Sequence, residues 1–242
     1  YLSSVRDAGT DYRASTGRGY SSNAELDFHV DGADLTTLAC YNQARVGGES
    51  MITSSQSAHD VMKADFPDLL DVMYGEFCFS RQGEEAPDEP PYYAQPIFEV
   101  HDGQLFTKWN RNRVQSAQKL DGVPPLDAVQ REAMDRLDEI LRRPELMFRM
   151  YLEPGDIQII NNYTMLHSRT GFIDHEAPAA KRLLTRLWLA PPDSVALPES
   201  WGRFFRTTEP GAVRGGILGH HHDERCRAFE RRQASELGLR IP

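Results

Sequence analysis

The chain has 242 residues, 40% of them hydrophobic, and sets 27 Lys and Arg against 36 Asp and Glu for a formal net charge of −9. That length suits one large sheet-rich domain, taken here as 1–242, with ample material for a buried core. No clustered basic run is present, which excludes a nucleic-acid footprint, and no apolar run approaches the roughly 20 residues that cross a bilayer. Cys40, Cys78 and Cys226 form no CxxC pair. A zinc ribbon and a disulfide framework are therefore not indicated, and a reducing cytoplasm is the expected setting. The chain opens on Tyr1 with no signal-peptide apolar stretch, so its N-terminal part reads as incomplete.

Residues 1–24 are polar and rich in Gly and Ser, the composition of a loop. Residues 26–31 then alternate apolar and polar, as a half-buried strand does. Residues 35–41 read as a second strand, and residues 49–53, after Gly47-Gly48, as a third. Residues 57–73 carry a helical pattern that Pro67 breaks by offering a new first turn. An acidic, Pro-rich surface loop follows over 82–91. Residues 95–100 and 104–109 flank His101-Asp102-Gly103, a hairpin signal because Asp-Gly tolerates positive φ.

Residues 127–143 give the clearest helix. Asp127 and Gln130 have capping-box spacing, Val129, Ala133, Leu137, Ile140 and Leu141 make its apolar side, and Pro144 ends it. With its flanks it forms a helical insert of about 115–145. Short strands are expected at 150–152, 157–162 and 183–190, and a helix at 224–237. The result is a mainly β chain with helical cover and an antiparallel core rather than a βαβ alternation. Gly47-Gly48 lacks GxGxxG spacing, which leaves a dinucleotide site without support.

Three elements carry chemistry. In His29-Val30-Asp31 the imidazole and the carboxylate point to the same side of a strand and can grip one cation; an HxD triplet alone is equally readable as a surface pair. In 155–169 a tight turn feeds an apolar strand, then Asn161 and Asn162, then a lone His167, which by itself is as readable as a hydrogen-bonded core histidine. In 182–189 alternation puts Leu184, Arg186 and Trp188 on one face and Leu183, Thr185, Leu187 and Leu189 on the other, in a strand expected to be buried on both sides. An arginine cannot shed its charge, so burial there implies an anion, a hydrogen-bonding cradle or a structural salt bridge.

Together these elements resemble the taurine dioxygenase and clavaminate synthase-like (TauD/TfdA) superfamily of Fe(II)/2-oxoglutarate-dependent oxygenases. The family pattern runs His-x-Asp/Glu, a Gly-Gly-x-Thr/Ser segment, a distant His and an Arg beyond it. This chain supplies His29-Val30-Asp31, Gly47-Gly48-Glu49-Ser50, His167 and Arg186 in that order, over roughly residues 25–192. The resemblance implies a double-stranded β-helix (jelly-roll, cupin-like) core. It also implies His29, Asp31 and His167 as metal ligands, Arg186 as the anchor of the 2-oxoglutarate distal carboxylate, and Ser50 in place of a hydrogen-bonding Thr. The interval from His167 to Arg186 is 19 residues, long for the pattern, so Arg182 stands as a second anchor. The stretch before His29 is short for the family, so substrate-binding residues found there in relatives are expected to be missing.

The implied activity is oxidation, most simply hydroxylation, of an unactivated C–H in a small organic substrate, with 2-oxoglutarate and O₂ consumed and succinate and CO₂ released. Two imidazoles and one carboxylate leave open positions on an octahedral Fe(II), whereas zinc favours tetrahedral closure and no redox step. Asp31 separates the chain from related halogenases, which lose that carboxylate. Trp109, Asn112 and Arg113 at the end of the hairpin, with Tyr163, Arg169 and Trp188 beside the triad motifs, are expected around a substrate pocket. Arg113 is a potential partner for a substrate carboxylate or sulfonate. A surface position for Arg113 and core packing for the aromatics are the competing readings. His220-His221-His222 cannot all face one ion on a regular element, and Gly219 and Asp223 mark an exposed segment. A cupin-like sensor that binds metal without turnover, and a cupin using another metal without the oxo-acid, are the alternatives. The sequence leaves a homo-oligomer open.

Overall fold

The computed structural model describes every residue except Tyr1, Ser15, His220 and His221. In chain order the strands are β1 (Ser3–Val5), β2 (Leu35–Asn42), β3 (Val46–Gly47), β4 (Ser50–Ser54), β5 (Glu76–Ser80), β6 (Tyr92–Pro96), β7 (Phe98–His101), β8 (Gln104–Thr107), β9 (Met147–Met150), β10 (Ile157–Asn161), β11 (Met165–Arg169), β12 (Phe172–Ile173) and β13 (Leu183–Leu189). The helices are α1 (Ser55–Asp65), α2 (Pro67–Met73), α3 (Arg111–Ala117), α4 (Ala128–Leu141), α5 (Gly202–Phe205) and α6 (Glu224–Leu237). Two antiparallel sheets organise the site, one in the order β1-β13-β2-β10 and one in the order β11-β4-β9. The molecule is thus mainly β with helical cover.

Local chemistry explains most boundaries. Ser54 caps α1 by accepting from Ser57 N, and Pro67 opens α2 directly after Phe66, so the helix breaks where the proline demands. Asp102 (φ 50) and Gly103 (φ 76) form the two-residue turn that joins β7 to β8, where His101 pairs with Gln104. Asp127 and Gln130 close both bonds of a capping box at the start of α4. That helix buries Ala133, Met134, Leu137, Ile140 and Leu141. Val129, expected on the buried side, is 46% exposed because the first turn of α4 overhangs the core, and Met134 fills the seam instead.

Three expectations change. Residues 26–31 do not form a ladder: His29 alone makes bridges, to Asn110 on one side and His167 on the other. Neighbouring chain on both sides takes its backbone bonds one at a time. Leu26 N donates to Arg169 O, His29 N to His167 O with a reciprocal bond, and Val30 N to Trp109 O. Residues 1–24, read as a loop, contribute β1, which pairs with β13 through Ser3 and Arg186; three residues are too few to show a period. Strand β13, expected to be buried on both sides, is fully buried only at Leu184; Leu183 and residues 185–188 are half-buried on both faces, and Leu189 is 39% exposed.

Helices α1, α2 and α4 pack over a core that includes Phe28, Phe77, Phe79, Phe98, Phe106 and Trp109. The stretch Leu197 to Phe205 closes it with Trp201, Phe204 and Phe205. Among the described residues no helix is long and apolar enough to cross a membrane.

Candidate metal centre and binding pocket

The reciprocal backbone pair between His29 and His167 brings their rings side by side, with centroids 4.3 Å apart. Asp31 follows two residues later on the same extended segment, so its carboxylate returns to the same face. His29 Nε2 lies 4.0 Å from Asp31 Oδ1, and His167 Nε2 lies 3.8 Å from Oδ2. These separations are too long for hydrogen bonds and suit donors that share an ion. The three ligand atoms all lie within 4.8 Å of one another. His29 Nδ1 is 2.8 Å from the Asp27 carbonyl oxygen, which fixes that proton and leaves Nε2 facing the cluster.

Asp31 is held from one side. Trp188 Nε1 donates to Oδ2 at 2.8 Å, Thr36 Oγ1 donates to Oδ2 at 3.1 Å, and Arg186 Nη1 sits 3.5 Å from the same oxygen. Oδ1 is left toward His29. Asn162 fixes the backbone by accepting from Asp31 N at 3.0 Å while donating to Thr36 Oγ1 and the Ala33 carbonyl. Burial works against ionising Asp31, but Arg186, the two imidazoles and the Trp188 bond prevail and hold the carboxyl far below its usual range. Burial, then the neighbouring His29, pushes the His167 imidazole down to about 3, so it is neutral and open to a cation near pH 7. Two imidazoles and one carboxylate are a donor set that fits Fe(II).

A cavity opens over this triad. Its wall includes Ser50, Asn112, Arg113, Arg169, Arg182, Arg186 and Trp188. Ser50 Oγ donates to Gln158 Oε1 at 2.7 Å. Arg182 is 6% exposed, and its Nη1 is buried with no hydrogen-bond partner. Gly48 makes room for it: at φ +77°, a Cβ there would lie 3.0 Å from Arg182 Nε. Burial lowers Arg182 to about 10. The Arg186 guanidinium lies 4.7 Å from the centre of the Trp188 ring and 5.4 Å from that of Tyr20.

The remaining expected residues divide. Asn112 donates to the Tyr12 carbonyl and Arg113 Nη1 to the Ser80 carbonyl, both at the cavity. Arg169 lines it while its Nη2 ties down the carbonyls of Ser22 and Ala24. Trp109 and Tyr163 lie in the core instead. Trp109 is fully buried and donates to Asp138 at 3.0 Å, and Tyr163 packs on Phe106 and Trp201 with its hydroxyl toward Arg214. Of the His220–His222 run, the first two lie outside the described residues, and His222 Nε2 is 3.0 Å from Glu230.

Sequence reading missed Tyr12, Arg18 and Tyr20, which the leading segment carries to the cavity wall, so the part before His29 does contribute to the pocket. It also missed Lys108. The signal was available, since Lys108 is a lone cation in the run Leu105-Phe106-Thr107-Lys108-Trp109.

Comparison with known proteins places this geometry. FR-33289 synthase of Streptomyces rubellomurinus is 35% identical over 208 residues, covering 82% of this chain and 61% of its own length. The taurine hydroxylase-like protein SAT17 of Stachybotrys chartarum is 28% identical over 181 residues, 69% of this chain and 45% of that protein. The chain thus spans about six-tenths or less of these relatives. A solved structure of asparagine oxygenase with Fe(II), 2S,3S-3-hydroxyasparagine and succinate shares the fold at a TM-score of 0.59 and 16% identity, covering 78% of this chain and 56% of that one. The family described as taurine catabolism dioxygenase TauD, TfdA matches residues 3–188, a span holding the three clustered side chains and both arginines, and the chain belongs to that family.

Proposed function

We propose that the protein is an Fe(II)/2-oxoglutarate-dependent oxygenase that hydroxylates an unactivated C–H of a small organic substrate. The observation that carries this reading is the convergence of His29, Asp31 and His167 within 4.8 Å at the floor of a cation-lined cavity. With Fe(II), 2-oxoglutarate and O₂ bound, such a site couples decarboxylation of the oxo-acid to succinate and CO₂ with oxidation of the substrate. A sensor reading has less support, because a metal site without turnover has no need of buried arginines beside it.

The chain's own residues divide the remaining work. His29, His167 and Asp31 would hold the metal, while Trp188, Thr36 and Arg186 sit on Oδ2 and fix the orientation of the carboxylate. For the distal carboxylate of the oxo-acid we favour Arg182 over Arg186. Arg186 is engaged with Asp31, whereas Arg182 keeps a buried, unpartnered Nη1 in a niche opened by Gly48. Two parallel charge-assisted bonds from Arg182 would orient the oxo-acid, with the Ser50 hydroxyl on the same wall. On this reading the two facing sheets are the halves of a double-stranded β-helix, and residues 1–242 act as one domain, since the 197–205 stretch fills the same core as α4. The unbridged thiols of Cys40 and Cys78 suit a reducing cytoplasm.

The experiment is a steady-state assay of succinate formation in Arg182→Met and Arg186→Met. Arg182→Met is expected to raise the oxo-acid KM at least tenfold, and Arg186→Met to lower kcat with a smaller change in that KM. A wild-type protein that forms no succinate with Fe(II), 2-oxoglutarate and a range of substrates contradicts the function, and the reverse KM pattern contradicts the anchor.

A further inference from the structure

Asp31 reaches the triad from a bend, Asp31-Gly32-Ala33-Asp34, that lies outside any strand and leads into β2. A ligand carried on such a segment is only as well aimed as the segment is held, because the bend has no ladder of its own. Every residue of it is in fact held. Asn162 supplies three of the contacts. Its Oδ1 accepts from Asp31 N at 3.0 Å, its Nδ2 donates to the Ala33 carbonyl at 2.9 Å, and its backbone N donates to Asp34 O at 3.0 Å.

The other contacts come from chain beyond the matched family span, which ends at residue 188. Gly216 N donates to Gly32 O at 2.7 Å. The Phe204 ring lies so close on Gly32 that a Cβ there would meet ring carbons at 2.3 and 2.5 Å. Space, rather than an unusual φ, therefore demands glycine at 32. Arg214, whose side chain has no exposed surface, donates from Nη2 to Asp34 Oδ1 at 2.5 Å and from Nε to both oxygens at 3.2 Å. The same guanidinium donates to the Val195 and Glu209 carbonyls at 2.7 and 2.9 Å, which ties the bend to the chain on either side of Phe204.

An apolar pair of similar volume would often stabilise the fold as well as this buried ion pair does. What the pair adds is direction. A fully hydrogen-bonded guanidinium fixes where Asp34 can sit, and Asp34 is three residues from the metal-facing carboxylate.

We propose that Phe204, Arg214 and Gly216 form a clamp on the Asp31–Asp34 bend that aims the Asp31 carboxylate at the metal, with Arg214 as a positioning residue for iron binding. This rests on the oxygenase reading, and it extends the metal site into chain that the family match leaves out.

The test is calorimetric titration of Fe(II) alone into the metal-free protein under argon, with the thermal midpoint of each variant measured alongside. Arg214→Met is expected to weaken Fe(II) at least tenfold, the scale on which loss of a group that orients a metal ligand acts. Gly32→Ala pushes the Phe204 ring off the bend without removing a charge; it carries the same expected loss and serves if Arg214→Met does not fold. Leu137→Ala leaves a hole in the core beneath α4 and lowers the thermal midpoint, yet is expected to keep Fe(II) affinity within about twofold of wild type. Wild-type affinity in either clamp variant overturns the proposal. So does an equal loss in Leu137→Ala, which would make the effect one of general stability. Wild-type protein that binds no Fe(II) would instead count against the oxygenase reading.

Discussion

Asp31 shows how far one carboxylate can be specialised by its neighbours. Three donors crowd Oδ2, Asn162 holds the backbone amide, and Oδ1 is left for the cation. His167 complements it by staying neutral, and this has a consequence for stability. Its folded value of about 3 lies below the unfolded 6.5, so the folded protein resists protonation there. The contribution of His167 is fully present above pH about 6.5 and is lost as pH falls toward 3; that of Asp31, also depressed, is present above its unfolded value of 3.8 and is lost as pH falls from there. The thermal midpoint of metal-free protein is therefore expected to decline from about pH 6.5 downward. His167→Gln should flatten the upper part of that decline, and a profile equally steep in the variant would contradict the account.

At the scale of elements, helix α4 was legible because its signal is local. The Asp127 and Gln130 capping box and the Pro144 stop lie within the helix or next to it, and both bonds of the box form. Asp127→Ala is expected to cost about 1 kcal/mol, or roughly 2–4 °C in thermal midpoint for a chain of this size, and an unchanged midpoint would show that the cap is idle. The hairpin at Asp102-Gly103 and the break at Pro67 were readable for the same reason. The segment 26–31 was harder. Alternation located Leu26, Phe28 and Val30 as buried positions, but whether the segment joins a ladder depends on β11 and on Trp109–Asn110, which are distant in sequence. Arg186 was found from its place in an apolar strand, yet its partner is Asp31, 155 residues away, and the unpartnered member of the pair is Arg182. Lys108 stood in a comparable apolar run and was passed over because it completes no motif. Trp109 and Tyr163 were placed near the site by proximity in sequence, and core packing claimed both.

At the scale of the whole molecule, the site is tied to chain that follows the matched family span. Arg214 is fully buried and pairs with Asp34 at 2.5 Å, while also donating to the carbonyls of Thr208, Glu209 and Val195. Asp34 in turn accepts from Asn162 N through its backbone, and Asn162 holds Asp31. The segment after β13 therefore buttresses the metal wall. Arg214→Met leaves Asp34 buried and unpaired, a loss of about 3–5 kcal/mol and roughly 6–20 °C in thermal midpoint. A shift of less than a degree or two would mean that Asp34 finds water or another donor.

The central claim is that His29, Asp31 and His167 hold one Fe(II) that 2-oxoglutarate can join. Anaerobic titration of Fe(II) and 2-oxoglutarate into the protein, followed by visible absorption, tests it most directly. The account predicts a weak charge-transfer band that saturates at one Fe(II) per chain and is absent in folded Asp31→Ala. A well-folded wild type that gives no band, or an Asp31→Ala variant that gives the same band, would contradict it.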